Sequence, residues 1–319
     1  MNRRITGSLW CVLLLLSVSG CGLTAAQRDA ASKFAAAATK FGDASSTELQ
    51  KMKDQTVAMN EALYRIPDVP GISGVGANLQ TCSPAEQNCG FQHLADGYSE
   101  TKYTDVLRGS QQLKTYGTTL TAILKANNSD EVNKATDSVG ATLKDLPKVV
   151  PGTSLGDAAS TAVTKAFQFF EKLYLDRIKA RAIRKAEGVM AQNNAVPIIC
   201  GYIGNEFDAA ANNGEPTTFG ARFASTAGNL MKVSAVAIKS NPRDRLIRSD
   251  GVSTYQLGQQ NLEETRTTFL AIRKSADACI KADAAFQLAL QNNSFSLEDI
   301  ENFFSAAQEA SSNAKSAKQ

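Results

Sequence analysis

The sequence predicts an all-α protein, an elongated bundle in which several helices of ~40 residues are joined by short connecting helices. Three observations predict it. Two long stretches carry a buried seam with steps of 3 and 4 residues, the spacing that keeps side chains on one helix face. No segment alternates apolar and polar residues over enough positions to argue for a strand. Proline, glycine and Asn-Asn pairs punctuate the chain where the helical periods stop.

The first seam runs through Phe34, Ala38, Phe41, Ser45, Leu49, Met52, Thr56, Met59, Leu63 and Ile66. It is coiled-coil-like, with one stutter at Phe41–Ser45–Leu49, and Gly42 is expected to loosen the helix nearby. The helix is expected from Thr24 to Ile66, where Pro67 and Pro70-Gly71 stop it. Residues 68–97 read as a long connection broken by Gly71, Gly74, Gly76, Pro84, Gly90 and Gly97, and a loop of this length is often functional.

A second helix is expected from Ser99 to Asn127 on Tyr103, Val106, Leu113, Tyr116, Leu120 and Ile123. Ser129 caps a short third one that ends at Pro147. Pro147, Pro151 and Gly152 then mark the connector between an N-terminal part, residues 21–147, and a C-terminal part, residues 154–312. The fourth helix is expected from Leu155 to Asn193, the fifth opens near Pro197, and the sixth spans Thr217 to Ser240.

The seventh carries the clearest seam: Tyr255, Gly258, Leu262, Thr265, Phe269, Ile272, Ala276, Cys279, Asp283, Phe286 and Leu290. Ser296 and Asp299 form a capping box for a last helix with Ile300, Phe303 and Phe304 inside, and residues 313–319 are expected to be a frayed tail. The repeated order of long helix, Asn-Asn-Ser and short helix at Asn127 and Asn292 raises an internal duplication against the common use of asparagine at helix ends.

The amino-terminal segment reads as an address. Asn2, Arg3 and Arg4 are a short basic start, and Leu9 to Val18 is an apolar run too short to span the ~30 Å hydrocarbon core of a bilayer. It ends in Val18-Ser19-Gly20-Cys21: an aliphatic residue, two small residues and a cysteine. These residues resemble the lipobox of bacterial lipoproteins, a resemblance confined to residues 1–21. It implies that residues 1–20 are a signal peptide cut before Cys21, and that Cys21 takes the diacylglycerol on its thiol and an acyl chain on its new amino group. The bland alternative is an ordinary secretory leader, or an uncleaved anchor, with Cys21 a bystander. Gly22 in place of aspartate favours, by the same analogy, the outer membrane facing the periplasm over retention at the inner one.

With Cys11 in the leader and Cys21 lipidated, four cysteines are left in an exported protein: Cys82, Cys89, Cys200 and Cys279. An even count in an oxidising compartment reads as two disulfides, and three pairings are possible. Cys82–Cys89 is local, across a turn at Ser83-Pro84, which leaves Cys200–Cys279 between the fifth and seventh helices. Zinc on four thiolates lacks the paired C-x2-C spacing, so no metal and no cofactor are expected.

Composition narrows function by exclusion. The formal charge is +3, from 34 basic and 31 acidic residues, and no electrostatic grip on nucleic acid is expected. His93 is the only histidine. It lies in the long loop, where a surface position is the ordinary reading. Gly71-Ile72-Ser73-Gly74-Val75-Gly76 lacks the Gly-Lys-Ser/Thr of a phosphate loop.

Asp43, Glu263-Glu264 and Glu298-Asp299 fall where solvent faces or caps are expected. Asp283 lies on an apolar seam. It is either at an exposed end of that seam or a buried carboxylate served by a lysine or arginine of another helix. Arg177, Arg181 and Arg184 share one helix face. They are either a solvated face or a contact for anionic headgroups or an acidic partner. Arg243, Arg245 and Arg248 around Asp244 form a second basic corner.

The functional expectation is a non-enzymatic helical scaffold or protein-interaction module of the cell envelope. It would be tethered to the membrane through acylated Cys21 and would meet an envelope protein partner. The alternative is a periplasmic binding protein that holds a small apolar or lipid ligand between helices lined by Phe167, Phe169, Phe170, Phe269 and Phe286.

Overall fold

The computed structural model describes residues 22–64, 66, 100–128, 130–135, 137, 175–192, 194–210, 217–292 and 295–316. The described residues form an all-α bundle without a strand. Its helices are α1 (Ala25–Tyr64), α2 (Glu100–Lys125), α3 (Leu175–Gln192), α4 (Ala195–Glu206), α5 (Phe219–Ser240), α6 (Arg245–Glu264), α7 (Leu270–Gln291) and α8 (Glu298–Ser316). A turn of π-helix, Thr265–Phe269, joins α6 to α7 without a break. The continuous rod from Arg245 to Gln291 is roughly 70 Å long at ~1.5 Å per residue, and α1 is about 60 Å.

Local chemistry starts and stops the elements. Thr24 and Gln27 form a reciprocal capping box at the start of α1: the Gln27 amide donates to Thr24 Oγ1 (3.2 Å), and the Thr24 amide donates to Gln27 Oε1 (3.0 Å). Asn194 joins α3 to α4 in a left-handed conformation (φ 49°) that asparagine tolerates better than most residues, and Pro197 follows in the first turn of α4. Thr218 caps α5 by accepting from the Ala221 amide. Asp244 caps α6 by accepting from Leu246 and Ile247. At α8 the Glu298 amide donates to Ser296 Oγ (3.2 Å), and three acids occupy the first turn, where the helix dipole favours them.

α1 runs antiparallel to the long rod. Gln27 Nε2 donates to the Ala289 carbonyl (2.8 Å), Phe34 stacks on Phe286 (4.6 Å between centroids), and Lys51 pairs with Glu264. α8 lies parallel to α1, with Lys33–Glu301 at 2.7 Å and Lys40 donating to Gln308 (3.4 Å). α2 is antiparallel to α1 and closes on it tightly. A Cβ added at Gly42 would sit 2.4 Å from the Ser110 carbonyl oxygen, and one at Gly117 would sit 2.4 Å from that of Ala35. Gly42 therefore does not loosen α1, which is continuous; it is where the α2 backbone comes closest.

The core is built from these seams. Phe34 is a hub in contact with Tyr116, Phe286 and Phe303. Each fully buried phenylalanine contributes about 1.5–3 kcal/mol relative to exposure. A second aromatic group lies at the middle of the rod, where Phe207 and Phe223 each pack on Phe269 with centroids 5.5 Å apart.

Two expectations change here. The chain does not fray at 313: α8 continues to Ser316 because Ala307, Ala310 and Ala314 stay buried on its inner face. The seventh helix begins ten residues earlier than its seam, at Arg245, because its first turns are held by packing on α5 at Gly251 and Gly258.

Candidate functional site

Of the residues singled out by the sequence, the structure brings together the cysteines of two helices, and it buries Asp283 and Glu264, each beside a second acid. Cys200 of α4 and Cys279 of α7 form a disulfide, with Cα atoms 6.3 Å apart. Gly204 lets the helices meet beside it, since a Cβ there would lie 2.7 Å from Ala276 Cβ. Cys21, Cys82, Cys89 and His93 lie outside the described residues, as do Phe167, Phe169, Phe170 and the end of the third helix near Pro147.

Asp283 is buried (2% exposed), so it does not stand at an exposed end of its seam. Nor, among the described residues, does a lysine or arginine serve it. Gln287, one turn along α7, donates to Asp283 Oδ2 (2.8 Å), and the titratable group facing it is a second acid, Glu187 of α3. Tyr116 of α2 donates its hydroxyl to Glu187 Oε2.

Three helices thus place two carboxyls and a phenol in one buried cluster of the core. Burial pushes Asp283 up to about 6 against the help of Gln287. Burial, then the Asp283 charge, pushes Glu187 up to about 8, so Glu187 keeps its proton at neutral pH. Burial and the same two acids raise Tyr116 well above its ordinary value.

The second group lies where the last residue of α6, just before the π turn, meets α1. Glu264, expected on a solvent face beside the exposed Glu263, is instead buried against Lys51 and accepts from Gln55 Nε2 (2.8 Å). Glu48 is fully buried beside it. Burial first, then the Glu264 carboxylate, lifts Glu48 to about 9, while Lys51 opposes. Burial also pulls Glu264 upward, but Glu48, Lys51 and Gln55 together hold it below its ordinary value. The group is therefore one neutral acid beside one ion pair.

The π turn next to it is stabilised locally. Thr265 Oγ1 donates to the Leu262 carbonyl (2.7 Å), and Thr267 Oγ1 donates to that of Glu263 (3.1 Å). π turns are frequent at functional positions. Here the turn sits between the buried carboxylate of Glu264 and the aromatic anchor Phe269.

Chemically, both groups store protons out of contact with solvent and tie helices together. The other carboxylates named from sequence are spread out. Asp43 pairs with Lys114 (2.6 Å), and Glu298 and Asp299 are exposed in the first turn of α8. Among the described residues, no group of three or more His, Cys, Asp or Glu side chains is gathered where it could hold a metal ion.

The basic face of α3 is partly spent on structure. Arg184 donates from Nε to the Leu290 carbonyl (3.2 Å), in the last turn of α7, where orphan carbonyls favour a cation. Lys179 donates to the Leu124 carbonyl (3.1 Å), in the last turn of α2. Arg181 is exposed, and the Arg177 side chain lies outside the described residues.

Sequence reasoning missed Tyr116–Glu187, Glu48–Glu264 and the Thr24–Gln27 cap. Only the last had a short-range signal, Thr-x-x-Gln ahead of an alanine-rich helix. No protein-family model matches the chain, and no curated protein or solved structure matches it. Among the described residues, no helix is long and apolar enough to cross a membrane.

Proposed function

We propose that the chain is an envelope lipoprotein that serves as a non-enzymatic helical scaffold, held at its N-terminus by acylated Cys21 and presenting a rod to a protein partner. The observation that supports this best is the pairing of α1 with the Arg245–Gln291 rod. The pairing starts at Gln27, six residues after Cys21, and the rod reaches roughly 66 Å from Ala289 to Arg245 at ~1.5 Å per residue. An anchor at one end of such a pair becomes reach at the other. Acyl chains at ~0.8 kcal/mol per buried CH₂ make a triacylated end a stable anchor.

The carrier reading draws less support. Phe269 packs on Phe207 and Phe223, Phe286 stacks on Phe34, and the two residues are about 25 Å apart along the rod. They serve two separate aromatic groups of the core.

The test is affinity capture from membranes with the wild-type chain and with Cys21→Ser, together with intact-mass measurement of the mature N-terminus. The expected result is an acyl mass on Cys21 and a partner recovered only with the anchored form. A chain that keeps its leader, or that carries no acyl mass, overturns the reading.

A further inference from the structure

The α5–α6 hairpin ends in a surface that the fold itself does not use. Its tip is the turn Asn241-Pro242-Arg243-Asp244 between Ser240 and Arg245. Lys239, Arg243, Arg245 and Arg248 are all exposed there. Among the described residues, none of the four pairs with a carboxylate: Arg248 donates to the Pro242 carbonyl (3.2 Å). The nearest acid, Asp244, is spent on the amides of Leu246 (2.9 Å) and Ile247 (3.1 Å).

Leu246, next to Arg245, is 77% exposed, and the exposed Asp250 stands one turn on along its own face. Arg245, Arg248, Val252 and Tyr255 then follow at steps of 3, 4 and 3 along one face of α6, with Val252 46% and Tyr255 36% exposed. Glu264 meets α1 at Lys51, and α6 runs back from there for ~30 Å, past the end of α1 at Tyr64. The tip is thus at the far end of the bundle from Gln27.

We infer that this tip is a docking surface for an anionic lipid bilayer, with Leu246 entering the acyl boundary and Lys239, Arg243, Arg245 and Arg248 meeting headgroup phosphates. Charge complementarity selects an anionic occupant. An exposed leucine beside long cationic side chains suits a bilayer boundary, where the apolar residue sinks and the charged heads stay at phosphate level. The inference rests on the fold and not on acylation. If Cys21 is also anchored, the rod joins two lipid surfaces.

The test is co-sedimentation of the chain from Gly22 to Gln319, which keeps every described helix and omits the apolar leader that would bind vesicles by itself. Vesicles of pure phosphatidylcholine are compared with vesicles containing about a third phosphatidylglycerol. The expected result is binding at least tenfold stronger to the anionic vesicles, weakened by salt. Arg243→Gln with Arg245→Gln should lower it about 25-fold, at roughly fivefold per cation, and Leu246→Asp should weaken it independently. The three side chains are exposed and, among the described residues, make no hydrogen bond or ion pair, so far-UV circular dichroism and melting should not change, and loss of binding with loss of fold would be excluded. Equal binding to both vesicles, or binding indifferent to the arginine changes, overturns the proposal. So does an unchanged Leu246→Asp variant together with equal binding to a soluble acidic polypeptide, which would make the tip a protein-docking surface.

Discussion

Replacing Gly42 by alanine should separate two helices that now touch through their backbones. In a helix interior the substitution alone gains about 0.5–1 kcal/mol, because glycine gives up more conformational freedom on folding. At Gly42 the new Cβ would lie 2.4 Å from the Ser110 carbonyl oxygen and 2.7 Å from the Lys114 amide nitrogen. These are backbone atoms of α2, so no side-chain rotation relieves the clash and α2 must move. Overpacking of this kind costs about 1–3 kcal/mol, and the net expectation is a loss of roughly 1–2 kcal/mol. Gly117 makes the reverse contact, its Cβ meeting the Ala35 oxygen at 2.4 Å and the Thr39 amide at 2.7 Å. Once one substitution has opened the gap, the other costs less. Gly42→Ala plus Gly117→Ala should therefore lose less than the sum of the singles, with a coupling of at least about 0.5 kcal/mol. Urea denaturation of the four proteins, followed by circular dichroism at 222 nm, measures each term. Stabilisation by either single change, or strict additivity, would refute the close-approach argument.

Glu187→Gln tests the proton stored beside Asp283. A carboxyl raised from 4.5 to about 8 in the fold gives stability that is complete below the unfolded value of 4.5 and is lost as pH rises toward 8, at up to about 1.4 kcal/mol per pH unit. The glutamine variant cannot ionise, so wild type should lose stability relative to it between pH 5 and pH 8 in parallel melts, and equal pH slopes would remove the stored proton. Glu48→Gln should behave alike over the wider window up to about 9, with Glu264 left as the partner of Lys51. Reducing Cys200–Cys279, or changing both to alanine, opens a loop of sequence separation 79 and should cost about 4.5 kcal/mol on the chain-entropy model, read as the shift in denaturation midpoint with and without reductant. Arg184→Ala should cost about 0.5–1.5 kcal/mol through the Leu290 carbonyl, and an unchanged midpoint would return that arginine to the solvated face.

The seams were readable because a helix of this length repeats its message. From Phe34 to Leu63 and from Thr265 to Leu290, steps of 3 and 4 placed the buried positions correctly, including Cys279 opposite Cys200. The π turn was not readable: it adds one residue to a turn without breaking the apolar spacing of Leu262, Thr265 and Phe269. The carboxylates failed for another reason. Glu48, Glu187 and Glu264 look like ordinary helix-surface residues, and only the crossing of separate helices buries them. Asp283 betrayed itself by sitting on a seam, but its neighbour, a second acid instead of a base, lies about a hundred positions away and has no local signature. Gly42 and Gly117 likewise become informative only as a facing pair.

Those buried polar groups answer a problem that the seams create. Ala30, Ala31, Ala35, Ala37, Ala38 and Ala44 make the inner faces of α1 shallow and nearly uniform, and small knobs in small holes resist sliding weakly. A slip of one heptad between α1 and the antiparallel rod would keep most apolar positions apolar. It would also carry Glu264 from Lys51 and Gln55 to Ala58 and Ala62, or to Ala44 and Glu48, burying a carboxylate with no cation. At the other end it would take Gln27 from the Ala289 carbonyl. Two polar pins, separated by most of the length of α1, thus fix a register that alanine alone leaves loose, and the Cys200–Cys279 bond holds a third helix to the same rod.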